Sequence, residues 1–250
     1  MNKVIVIVCK DLNLLALSYY VKEFGSIDII VVSPKERKRP LYKNVIYKKD
    51  EDFLSRDNFP IIEDTHRPNW YYQQFLKYSI VLDLKYDLIH IVDGDSFVRK
   101  DLMFSNLIFF SKKSVEKQYS NFIEIITKAT VHSERNYITN QMCFNRDLLK
   151  KLILDLSKEG SHWIVEICKT LNSRDDFWFS EYQFYANYSL KIGKAEEHEI
   201  KVFRRFDIIG EKFEHGFNNY AVLAHESQHK TGFLRKIRAR LFYIFKLNLG

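Results

Sequence analysis

Tyr86-Asp-Leu-Ile-His-Ile-Val-Asp-Gly-Asp-Ser-Phe-Val-Arg-Lys-Asp101 decides how the rest of the chain is read. Leu88 to Val92 is an apolar run interrupted only by His90, which predicts a buried strand delivering Asp93 and Asp95 to its C-terminal edge. Two carboxylates one residue apart repel each other and are not buried together without a counter-charge, for which a divalent metal is the simplest candidate. Gly94 between them lets the backbone approach a ligand or adopt a dihedral that a larger residue resists. A bare Asp-Gly-Asp is also ordinary turn chemistry, and it is the strand in front of it that favours a site.

Immediately upstream, Arg67-Pro-Asn-Trp-Tyr-Tyr-Gln-Gln-Phe-Leu-Lys-Tyr-Ser-Ile-Val-Leu82 predicts a helix after Pro68, with Asn69 as cap and Tyr72, Phe75, Leu76 and Ile80 facing the core. Trp70, Gln73, Gln74 and Lys77 fall mainly on other faces, where they form either a polar surface or part of a site. The helix runs directly into the Asp-Gly-Asp strand, so its N-terminal end and the carboxylate pair can share one rim of a sheet.

At the N-terminus, a strand over Lys3 to Val8, a helix between Leu12 and Phe24, and a second strand over Ile27 to Val32 make a βα unit of a mostly parallel sheet. Asp11 or Asn13 supplies the helix cap and Gly25 the stop. Ligands of such sheets bind beyond the strand C-termini. No Gly-rich fingerprint follows the first strand, which argues against a Rossmann dinucleotide site and a P-loop; Cys9 and Lys10 occupy that loop instead. Ser33 opens the loop Ser33-Pro-Lys-Glu-Arg-Lys-Arg-Pro40, whose basic residues either receive a diphosphate or stay solvated.

Downstream, Gln141 to Phe144 reads as a strand and Asn145 as the cap of a helix starting near Arg146. Asn140 and Gln141 can hydrogen-bond a sugar or serve as turn residues. A helix over Trp163 to Leu171 precedes Asp175-Asp-Phe-Trp-Phe-Ser-Glu-Tyr-Gln-Phe-Tyr-Ala-Asn-Tyr188, which predicts another helix with Glu181 in its first turn. Glu181 beside Trp178 is either a sugar-binding or catalytic group or a simple helix-start charge. Residues 195 to 217 read as charged and irregular, and a short apolar strand then ends at His225, an imidazole able to complete a manganese-like shell or to be structural. Residues 230–250 are basic and amphipathic, the pattern of a helix at an anionic membrane interface.

With 250 residues, 46% of them hydrophobic, the chain suffices for one α/β domain over residues 1–228, followed by the basic helix over 229–250. No apolar run approaches the length of a membrane span, and the start lacks the pattern of a secretory signal. Cys9, Cys143 and Cys168 are widely separated and odd in number, which points to a reducing compartment, hence a cytoplasmic protein peripheral to the inner membrane face. A net charge of +7 favours a phosphate-bearing partner or an anionic membrane; no nucleic-acid-binding motif accompanies it.

Asn69-Trp-Tyr-Tyr-Gln-Gln-Phe-Leu-Lys77, Ile91-Val-Asp-Gly-Asp-Ser96 and Phe179-Ser-Glu-Tyr-Gln-Phe-Tyr-Ala-Asn187 together resemble bacterial glycosyltransferases of the GT-A fold. Within these the chain is most similar to a small family of uncharacterised or capsule- and lipopolysaccharide-type sugar transferases with a Trp-Tyr-Tyr-Gln-Gln helix and an Asp-x-Asp. The resemblance covers residues 1 to about 228. It implies a nucleotide-sugar donor, a glycan or lipid-linked acceptor, and Mn or Mg held by Asp95, with Asp93 on the ribose or in the metal shell and His225 as a further ligand. It also sets Trp70, Gln73, Gln74 and Lys77 beside the donor sugar and Glu181 near donor or acceptor. An inverting reaction would need a base, with Glu181 or Asp176 to serve; a retaining one would not. Three rivals use parts of the same pattern: a haloacid dehalogenase-like phosphohydrolase, a nucleotidyltransferase and a non-catalytic glycan-binding protein.

Overall fold

The computed structural model describes residues 1–35, 42–105, 107–131, 135–157, 161–204, 217 and 219–224. The expected basic loop lies largely outside them, and His225 and the segment 229–250 do so entirely. The strands are β1 (Lys3–Val8), β2 (Asp28–Ser33), β3 (Val45–Lys49), β4 (Leu88–Asp93), β5 (Ser96–Val98), β6 (Leu107–Ser114), β7 (Arg135–Asn136), β8 (Gln141–Asn145), β9 (Glu196–Glu199), β10 (Val202–Arg204) and β11 (Val222–Ala224). The helices are α1 (Leu14–Glu23), α2 (Pro68–Asp83), α3 (Lys117–Thr127), α4 (Arg146–Leu156), α5 (Trp163–Asn172) and α6 (Glu181–Lys191).

Five strands form a central sheet in the order β3-β2-β1-β4-β8. β1 to β4 run parallel and β8 is antiparallel to β4. The protein is therefore an α/β fold with a mostly parallel sheet flanked by helices, as the alternation of apolar runs predicts. The three inner strands β2, β1 and β4 are buried on both faces, so each contributes to two cores. Val4, Val6, Val8, Ile89 and Ile91 pack with residues of α2 to α6, while Ile5, Ile7, Ile29, Val31 and Val92 pack with α1, β5 and β11. Among the described residues no helix is long and apolar enough to cross a membrane.

Local chemistry sets most boundaries. Asn13 caps α1 by accepting from the Leu15 and Ala16 N–H groups, Asn145 caps α4 through the Leu148 N–H, and Ser180 caps α6 through the Gln183 N–H. The cap expected at Asn69 is displaced. Pro68 occupies the first helical position, where its missing N–H costs nothing, and Arg67 is the cap residue. Asn69 instead accepts from Arg56. The stretch read as irregular contains β9 and β10; Glu196-Glu-His-Glu199 pairs with β6 although it carries no apolar alternation.

His90, the interruption in the β4 run, is fully buried. Its Nδ1 accepts the Phe104 N–H at 3.3 Å, so the proton of the neutral ring sits on Nε2. Burial depresses its pKa to about 3, with Gln141 as a polar neighbour that partly opposes the shift. The unfolded chain therefore takes up a proton at His90 near pH 6.5 that the folded chain refuses. This contribution to stability is complete above that pH and lost as pH falls toward the folded value. Between pH 7 and pH 5 it should remove about 2 kcal/mol of stability. Denaturant titrations of the wild-type and His90→Leu proteins check this: the variant should lose that part of the pH dependence, and an unchanged slope would refute it.

Candidate functional site

Chain order and sheet order disagree at one place. From β1 the chain proceeds through β2 and β3 on one side and then returns to lay β4 on the other side of β1. The crevice beyond the C-terminal ends of β1 and β4 is thus the topological switch point, where open α/β sheets bind ligands. Cys9 and Lys10 leave β1 there, and Asp93, Gly94 and Asp95 leave β4. Asn140 arrives from the antiparallel side, and its carbonyl accepts the Asp93 N–H at 3.0 Å.

The turn after β4 is fastened to β1. The Gly94 N–H donates to Val8 O at 2.9 Å, and a Cβ added at Gly94 would lie 2.2 Å from Cys9 Cβ. The close approach that requires glycine is therefore to Val8 and Cys9 at the end of the protein's own first strand, where the sequence suggested an approach to a ligand or a special dihedral at Gly94. Lys10 is exposed, and Ser33 is buried with its hydroxyl donating to Lys35 O.

Helix α2 lies antiparallel to β4, so its N-terminal half reaches past the sheet edge. Lys77 projects from it into the interior, its side chain only 3% exposed, and its Nζ donates to Asp93 Oδ1 and Glu181 Oε1, both at 2.7 Å, and to the Tyr182 hydroxyl at 3.1 Å. Burial alone would lower the Lys77 pKa. The Asp93 and Glu181 carboxylates outweigh it and hold the ammonium well above the usual lysine range. Asp93 completes its shell with the Tyr182 hydroxyl and the Asn140 amide, both at 3.3 Å. Asn140 has φ of 62°, a left-handed conformation that asparagine tolerates better than most residues, and its Oδ1 is buried with no hydrogen-bond partner among the described residues.

Glu181 is sealed behind this arrangement at 0% exposure. Besides Lys77 it accepts from the Ser180 hydroxyl and from the Gln74 amide, in the orientation that sets the Gln74 nitrogen toward the carboxylate. Burial raises its pKa, and Lys77 offsets part of that rise. The expected base or sugar-binding carboxylate is thus a positioning residue for Lys77, because no face of it reaches solvent. Asp176 is taken up by the Arg174 guanidinium at the surface. Gln73 is half-buried, and Trp70 packs against Tyr71 and Tyr119.

The metal expectation also changes. Lys77 already supplies a counter-charge to Asp93 Oδ1. Among the described residues no three His, Cys, Asp or Glu side chains are grouped to hold an ion. What the edge does offer is hard oxygen: Asp93 Oδ2, the unpartnered Asn140 Oδ1, and Asp95, which also accepts from the Ser96 hydroxyl at 3.3 Å. Oxygen donors of this kind suit Mg or Mn. Of the four charged groups Lys77, Asp93, Asp95 and Glu181, three are acids and one a base, so a divalent cation would balance them.

No family model matches the chain, and no curated protein does. Among solved structures, an assigned glucose-1-phosphate thymidylyltransferase from Bacillus anthracis, in complex with a sucrose, is 12% identical, with a TM-score of 0.43 over 80% of this chain and 87% of that one. That likeness is too distant to carry an argument.

Sequence reasoning placed Lys77, Gln74, Asp93 and Glu181 near a site without seeing that they bind one another. Tyr182 enters that reading only as part of the helical stretch ending at Tyr188. The one available signal was a lysine and two glutamines spaced among core aromatics of a single helix.

Proposed function

We propose that the chain is a metal-dependent glycosyltransferase that moves a sugar from a nucleotide-sugar donor to a glycan or lipid-linked acceptor. The observation that carries this reading is the Asp93-Gly94-Asp95 turn at the switch point of the sheet, with Asp93 pre-oriented by Lys77 and Asn140. In this reading Asp95, Asp93 Oδ2 and Asn140 Oδ1 would hold Mg or Mn. When bound, that ion supplies the charge needed by the diphosphate of the donor and by the departing nucleoside diphosphate. Lys77, itself held by Glu181, keeps the Asp93 carboxylate fixed, so that it need not reorganise when the donor arrives. Glu181 is not available as a base, and the reading assigns none. The basic segment 230–250 would bring the site to an anionic bilayer.

Calorimetric titration of UDP, GDP, ADP and CMP, with and without Mn, tests the donor site. One nucleotide should bind, and its binding should fail without the metal and in Asp95→Ala. Turnover should fall by about two orders of magnitude in that variant, the scale of losing one group that stabilises transition-state charge. Product analysis separates the rivals. Release of nucleoside diphosphate from a nucleotide-sugar supports the proposal. Pyrophosphate from a nucleoside triphosphate and a sugar phosphate would make the protein a nucleotidyltransferase, phosphate from simple monoesters a hydrolase, and glycan binding without turnover a non-catalytic protein.

A further inference from the structure

The arginines with described side chains divide into two kinds. Arg56, Arg99, Arg135 and Arg174 each pair with a carboxylate, of Glu63, Asp101, Glu197 and Asp176 respectively, and Arg146 donates to the Leu82 carbonyl. Arg67 differs from all of them. It is exposed and makes no hydrogen bond or ion pair through its side chain among the described residues. Its guanidinium carbon lies 4.4 Å from the centre of the Trp70 ring and 5.6 Å from that of Trp178. Both indoles rest in turn on the buried Tyr119 ring, with centroids at 6.4 and 5.6 Å. The root of the side chain is equally fixed, because the Arg67 carbonyl accepts the Trp70 and Tyr71 N–H groups that open α2.

A guanidinium set over aromatic rings, with no acceptor among the described residues, keeps its N–H groups available. That edge matches the two oxygens of a carboxylate or phosphate, and the usual entropy of ordering a long side chain has already been spent. Asp175 is near enough to act on His66, yet it does not pair with Arg67. The location is specific as well. Trp70 precedes Lys77 by seven residues, two helical turns, which sets it about 10 Å further along the same face of α2. Trp178 precedes Glu181 by three residues. The two indoles that hold Arg67 thus lie on the segments leading into Lys77 and Tyr182, which hold Asp93.

We propose that Arg67, set over Trp70 and Trp178, binds the oxyanion of an acidic saccharide, a carboxylate or a phosphate. That this saccharide is the acceptor rests on the function proposed above; that the site selects an anion does not.

Titration of the full chain with glucose, glucuronic acid and glucose 6-phosphate, followed by indole fluorescence, tests this without any nucleotide. At least one of the two acids should bind wild-type protein about tenfold or more tightly than glucose, the scale of one added charge-assisted hydrogen bond, and which acid does so names the oxyanion. The preference should vanish in Arg67→Gln and return only in part in Arg67→Lys, which restores the charge without the fork. Equal binding of all three sugars, or a preference that survives in Arg67→Gln, would overturn the proposal. Anion selection in a protein that binds no nucleoside diphosphate would sustain the Arg67 site and sink the transferase reading. Nucleotide-sugar turnover with no anion selection would do the reverse.

Discussion

Lys77→Met should destabilise the fold by about 3–5 kcal/mol, the usual cost of removing one partner of a buried ion pair. Lys77 stands between two carboxylates, one of them without any solvent contact. Methionine fills similar volume but leaves Glu181 to choose between an uncompensated buried charge and protonation. Burial already raises the Glu181 pKa, and without the ammonium it rises further. A carboxyl whose folded pKa lies above its unfolded one favours the folded state at low pH and disfavours it as pH climbs through the folded value. The deficit of Lys77→Met should therefore shrink toward acid. Adding Glu181→Gln should recover part of it at neutral pH, because the charge that lost its partner is then gone. Denaturant titrations at pH 7 and at acid pH check all three statements, and a Lys77→Met protein as stable as wild type at pH 7 would show that the network is not charged as described.

Gly94→Ala should cost about 1–3 kcal/mol or more, as overpacking of a close-packed site does, and should displace Asp93 and Asp95 with it. The new methyl would meet Cys9 Cβ at 2.2 Å and Cys9 Cα and Val8 O at 3.2 Å. Only the first of these contacts can be removed by mutation. A second substitution, Cys9→Gly, should restore part of the stability, whereas Cys9→Ala should restore none, since it keeps the clashing atom. Thermal unfolding of the three proteins decides the matter, and rescue by Cys9→Ala as complete as by Cys9→Gly would refute the contact.

These expectations also mark what was legible. The βα unit from Lys3 to Val32, the helix feeding Leu88 to Val92, and the caps at Asn13 and Asn145 follow from apolar spacing and from side chains that bond the backbone two or three residues away. So does the arrival of Asp93 and Asp95 at a sheet edge. Such signals are local and survive in a string of letters. β9 was missed because Glu196-Glu-His-Glu199 is held by pairing with β6 and not by a buried face of its own. The Asn69 cap failed by two residues because proline at the first helical position competes for the same start.

The amino-acid sequence by itself determined an α/β protein with two carboxylates at the C-terminal end of a buried strand and a need for positive charge beside them. What answers that need was decided only by tertiary structure. Lys77 meets Asp93 across 16 residues and Glu181 across 104, and Gly94 meets Cys9 because β4 lies against β1. Periodicity reports which face of an element is buried, not which buried groups touch. A lone lysine among core aromatics acquires its meaning only once helix, strand and helix have packed and water has been excluded from between them.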